Sequence, residues 1–137
     1  MRLQDGPHLC APAALSNALA ALGRDVPPAA CAELCGTGVE GTDEDDLVEA
    51  VRALGFQPEI VTSWRALQGA VLAGAPVVCA VREDEPYDHW VAAVGVCGDR
   101  VLFADPADHA VVRPRDREEW SRWAAGPDGF YGVALES

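Results

Sequence analysis

The chain contains no lysine: its ten basic residues are all arginine, set against twenty-two aspartates and glutamates, for a net charge of −12. A field of that sign repels phosphate backbones and anionic membrane surfaces, so nucleic acid is not an expected partner, whereas a cationic peptide would be attracted. The same acidity serves solubility. In a chain rich in Ala, Gly and Pro, the absence of lysine reflects the bias of a high-GC bacterial genome more than a mechanism. There is also no apolar run of the length a membrane span needs, which excludes a transmembrane helix. The first residues, Met1 to Pro7, lack the apolar core of a secretory signal, so a cytoplasmic location is expected. The five cysteines, Cys10, Cys31, Cys35, Cys79 and Cys97, are odd in number, which points to free thiols in a reducing compartment. Cys31 and Cys35 stand four apart, but no second Cys or His pair stands at ligand spacing. The acidic run Thr42 to Asp46 lacks the spaced ligands and terminal Glu of a calcium loop. No metal and no cofactor are therefore expected.

At 137 residues, half of them apolar, the chain is long enough for one domain with a sizeable core, taken here as residues 1–137. It shows no internal repeat, low-complexity segment or dividing linker. Helices come first. Residues 12–22 place Leu15, Ala18, Leu19 and Leu22 on one face, with Pro12 in the first turn and Gly23 as a stop. A short helix follows over Pro28 to Cys35, then another capped by Thr42 with Leu47, Val51 and Leu54 inward and Gly55 at its end. Gln57 to Val61 reads as a strand, and Ser63 caps a helix to Ala73. The second half is β-rich. Pro76 to Arg82 and Trp90 to Cys97 are nearly continuous apolar runs, as expected of buried strands, with Cys79 and Cys97 behaving as small buried hydrophobes. Gly98-Asp99 turns the chain into an antiparallel Arg100 to Ala104. Ala110 to Arg113 reads as an edge strand, Arg115 to Ala125 as a helix whose Trp120 and Trp123 join Trp64 in the core, and Phe130 to Leu135 as a closing strand. The fold class is α+β, a helical N-terminal half packed on a C-terminal antiparallel sheet.

Four residues carry chemistry. Cys10 directly precedes the first helix, where the positive end of the macrodipole and unpaired N–H groups favour the thiolate. His89 opens the strand His89-Trp90-Val91 after a polar loop, and histidine is the usual base for a cysteine because its pKa lies near neutrality. Asp105 follows the partner strand, and whether it meets His89 depends on register. A two-residue turn at Gly98-Asp99 pairs Val96 with Val101 and sets Asp105 opposite Ala92, on the face away from His89. A longer turn, or an equivalent bulge, sets Asp105 opposite Val91, a diagonal neighbour of His89 at roughly 7–8 Å. The second arrangement is expected, with Asp105 orienting the imidazole. Gln4, in the segment leading to Cys10, can donate its side-chain amide to an oxyanion together with the Cys10 backbone N–H. His8 and His109 read as loop residues.

Gln4, Cys10-Ala11-Pro12-Ala13-Ala14-Leu15, His89-Trp90-Val91 and Asp105-Pro106, in that order, resemble the bacteriocin-processing cysteine peptidases, the double-glycine leader peptidases. Leu54-Gly55, the Gly-Ala-Pro-Val-Val strand entry and the Gly-Asp hairpin extend the likeness from Gln4 to Pro114. The resemblance implies a papain-like α+β fold in a free-standing relative. In it Gln4, Cys10, His89 and Asp105 serve as oxyanion donor, nucleophile, base and orienting acid, and a peptide or protein is the substrate, cleaved after small residues. Ala11 departs from the family's usual Gly after the nucleophile, which puts rate and substrate in question. The same residues would also suit an amidase or an acyltransferase, and a vestigial set would leave a peptide-binding module.

Overall fold

The computed structural model describes residues 10–35, 44–81, 89–104, 112–124 and 131–136. Among these residues five helices and six strands follow one another as α1 (Cys10–Ala21), α2 (Pro28–Cys35), α3 (Glu44–Ala53), β1 (Gln57–Val61), α4 (Trp64–Leu72), β2 (Val77–Val81), β3 (His89–Cys97), β4 (Arg100–Ala104), β5 (Val112–Arg115), α5 (Arg117–Ala124) and β6 (Tyr131–Glu136).

Helix stops are local and repetitive. Gly23 at φ +77° lets its own N–H reach Ala20 O while the N–H of Arg24 returns to Leu19 O, the paired bonds of a glycine-terminated helix. Gly55 and Gly74 end α3 and α4 with the same pair of bonds. At its other end α4 is capped by Ser63, whose hydroxyl accepts from the Ala66 N–H at 3.1 Å. The N-cap expected at Thr42 lies outside the described residues.

The strands form one antiparallel sheet in the order β1-β6-β2-β3-β4-β5. Its two faces bury separate clusters. On one face Trp90 and Ala92 of β3, with Val78, Ala80, Ala104, Val133 and Leu135, pack with residues of α1, α2 and α3. On the other, Val91, Ala93, Val101 and Phe103 pack with Trp64, Leu67 and Val71 of α4 and Trp120 of α5. The α+β class is as expected, but the helices divide between both faces because α4 and α5 are apolar on one side only and need a second sheet face to cover them.

Helix α1 is enclosed more completely than one apolar stripe would require: every residue from Ala11 to Leu19 is buried. Its two polar members are tied in, Ser16 donating to Val26 O. Other boundaries moved. The edge strand β5 covers Val112–Arg115, running two residues past the expected end at Arg113, while Ala110 and Val111 lie outside the described residues. Helix α5 starts at Arg117 because Asp116 and Glu119 form a reciprocal cap, the Glu119 N–H donating to Asp116 Oδ1 at 2.9 Å and the Asp116 N–H to Glu119 Oε1 at 3.2 Å. Cys97 is exposed, not buried, because it is the last residue of β3, beside the turn.

The β3–β4 hairpin has the short turn and also a bulge. Gly98, at φ +64°, and Asp99 make a two-residue turn, with Cys97 opposite Arg100 and Val96 opposite Val101. The register then shifts between Gly95 and Ala93, so that Ala93 faces Phe103 and Ala92 faces Ala104. Val94 is the extra residue. The shift reconciles the turn with the apolar pattern: Val96 and Ala93 both lie on the α4 face although they stand three positions apart, which strict alternation would put on opposite faces.

Candidate active site

Cys10 is the first residue of α1, so the helix begins two residues earlier than Pro12 suggested. Pro12 stays within the first turn, where its missing N–H costs nothing. The first N–H groups of α1 have no partner within the helix, which makes this end a site for negative charge. His89 is the first residue of β3 and pairs with Val81 at the end of β2. Helix α1 packs on β3, sharing the cluster that holds Trp90 and Ala92. The elements that carry Cys10 and His89 are thus in direct contact. At both positions the backbone is described and the side chain is not. Gln4 and Asp105 lie outside the described residues, as do His8 and His109. Rung 104, the last described before Asp105, stands opposite Ala92 in the bulged register.

Pleat alternation puts position 89 in phase with Val91 and Ala93, on the face away from α1. Among the described residues, the rung beside it is Trp90 opposite Ala80. Trp90, which is 4 % exposed, fills the α1 face beside it.

Ala11 is 1 % exposed and belongs to the cluster between α1 and the sheet. Its methyl group is therefore part of the core.

The remaining described thiols have other surroundings. Burial pushes the Cys35 thiol up to about 12, with Cys31 and Asp46 nearby adding to the effect. Burial raises Cys79 further, a hydrogen bond with the Ala93 backbone only partly opposing it. Both remain protonated and unreactive at neutral pH. Among the described residues, no group of three or more His, Cys, Asp and Glu is placed to hold a metal ion. Nor is any described helix long and apolar enough to cross a membrane. Trp64 and Trp120 are core residues, as expected; the side chain of Trp123 is not among those described.

The model of the Peptidase_C39-like family matches residues 2–125. The chain belongs to that family. Over 117 residues, 82% of its length, it is 29% identical to the mesentericin-Y105 transport/processing ATP-binding protein MesD of Leuconostoc mesenteroides, of which it spans 16%. The peptidase domain of Streptococcus ComA, a bi-functional ABC transporter involved in quorum sensing, has the same fold: TM-score 0.79, 21% identity, 99% of this chain and 97% of that one covered. So does a double-glycine-motif protease from an AMS/PCAT transporter, solved in complex with its leader peptide, with TM-score 0.70, 20% identity, and coverage of 98% and 89%.

Proposed function

We propose that this chain is a cysteine peptidase that cleaves a precursor or leader peptide after small residues such as Gly-Gly, with residues 1–137 forming one catalytic domain. His89 takes the proton of the Cys10 thiol. The thiolate, favoured by the start of α1, attacks the scissile carbonyl. The Gln4 amide and the Cys10 backbone N–H hold the oxyanion, and Asp105 orients the imidazole and stabilises its protonated form. Protonated His89 gives its proton to the departing amine, and water then releases the acyl group from Cys10.

The observation that carries this reading is the pairing of elements: in a member of this family, the one cysteine at a helix start lies on the helix that packs on the strand opened by His89. The relatives support the substrate class: a transport/processing protein, a transporter's peptidase domain and a double-glycine-motif protease solved with a leader peptide.

Iodoacetamide at neutral pH should modify Cys10 before Cys31, Cys35 or Cys79, as mapped by peptide mass. Replacing Cys10 by Ala should abolish cleavage of a Gly-Gly-containing peptide while leaving the circular dichroism unchanged. Cleavage that survives Cys10→Ala rules out Cys10 as nucleophile.

A further inference from the structure

We infer that the cleft between the starts of α4 and α5 is a second ligand site, suited to a short peptide with both termini free. It uses none of the residues of the catalytic reading above.

The cleft has a volume of about 480 Å³, within the range that small-molecule sites occupy. Three elements distant in sequence form it. The first two turns of α4 supply Trp64, Arg65 and Gln68, the β3–β4 turn supplies Asp99, and the start of α5 supplies Asp116, Arg117 and Glu118. Asp99 lies beyond the end of β3 opposite to His89. The nine residues of β3, at about 3.3 Å each, separate the two by roughly 30 Å. A ligand of two or three residues held in the cleft therefore does not reach position 89.

The lining specifies the ligand's charge. Two guanidinium groups and three carboxylates share it. Both helices begin here, so the positive ends of two macrodipoles offset the remaining negative charge. Asp116 is committed to the α5 cap, accepting from the Glu119 N–H at 2.9 Å. Among the described residues, Arg65, Gln68, Asp99 and Glu118 form no hydrogen bond or ion pair with one another. Opposite charges thus converge on one cleft without closing on each other, and each keeps its capacity for a ligand group. A pure anion would meet Asp99 and Glu118 within the field of a chain at −12. A pure cation would meet Arg65 and two helix starts. A zwitterion satisfies both sets, its carboxylate on Arg65 and its ammonium on Asp99 and Glu118, through charge-assisted hydrogen bonds. The Gln68 amide both donates and accepts, which matches a peptide group between the two ends. Trp64, 8 % exposed, gives the cleft a rigid apolar wall.

The test is titration with the dipeptide Ala-Leu, followed by amide and indole N–H NMR shifts. The resonances of Asp99, Glu118 and the Trp64 indole should move saturably, with a dissociation constant on the order of 1 mM, the affinity a ligand of that size reaches. N-acetyl-Ala-Leu and Ala-Leu-amide should each bind at least about tenfold more weakly, the loss of one charge-assisted hydrogen bond. Arg65→Gln should abolish the preference for the acid over the amide and keep the preference for the free amine. Asp99→Asn with Glu118→Gln should do the reverse. All three positions are exposed, so these changes leave the core intact. The same titration of the Cys10→Ala protein should give the same shifts, since the probe is bound and not cleaved. No saturable shift at about 10 mM, shifts confined to residues outside the cleft, or equal binding of the blocked peptides overturns the inference. None of these outcomes bears on Cys10 alkylation or peptide cleavage, which test the catalytic reading alone.

Discussion

Trp64 and Trp120 pack with ring centroids 5.4 Å apart and planes inclined at 55°, the tilted arrangement aromatic pairs prefer. Trp64 opens α4 and Trp120 lies in α5, so this contact joins the two helices that cover the sheet face opposite α1. Trp120→Ala should cost about 3–5 kcal/mol, a large fraction of the stability of a domain this size. A double-mutant cycle with Trp64→Ala, read by urea denaturation, should show a coupling of about 0.5–1.5 kcal/mol. Additive effects would mean that each ring acts only through the area it buries.

Asp116 caps α5 and is capped in return by Glu119. Asp116→Ala removes the acceptor for the Glu119 N–H and should cost about 1 kcal/mol, while Asp116→Asn, which keeps an oxygen there, should cost much less. Thermal unfolding of the two variants checks the difference.

Much of this architecture is legible in the sequence because its causes are local. Gly23 and Gly55 announce two helix ends, and the apolar runs around Cys79 and Val91 announce buried strands. The exposed Cys97 was not legible as such, since the apolar run ends at a turn and alternation gives no depth along the strand. The cap at Asp116 was present as Asp-x-x-Glu but obscured by the arginines around it. The bulge at Val94 follows from two signals that conflict when combined: Gly98-Asp99 specifies a two-residue turn, yet Val96 and Ala93 must both face Val101 and Phe103. For the site, the sequence locates Cys10 and His89 at the starts of their elements. It does not show that pleat phase sets position 89 on the face away from α1, because the phase has meaning only once α1 is seen to pack on Trp90 and Ala92.

Ala11 stands next to the proposed nucleophile, Cys10, where a methyl group could crowd an oxyanion site. Its methyl group is buried against the core, so Ala11→Gly should leave peptide cleavage within a few-fold of the unaltered chain. The change should instead lower stability by about 1–2 kcal/mol, from lost helix propensity and lost burial of one methyl group. A large gain in kcat with unchanged stability would show that the methyl intrudes on the reacting groups.

The absence of lysine makes the alkaline side of the stability curve unusually informative. Cys35 has its thiol pushed up to about 12 by burial, and Cys79 is raised as well. An unfolded thiol ionises near 8.5, roughly the reference value. Below that pH both states hold the proton and the thiols add no pH dependence. Above it the unfolded chain releases protons that the folded chain retains, so stability falls by about 1.4 kcal/mol per pH unit for each such thiol. For Cys35 the loss continues until pH passes about 12, where the folded thiol also ionises. Urea denaturation between pH 8 and 10.5 should show this decline, with no lysine titration beneath it. Cys79→Ala should make the slope shallower by about the share of one thiol, whatever it does to stability at pH 7. An unchanged slope would mean that Cys79 ionises in the folded chain as readily as in the unfolded one, which its burial forbids.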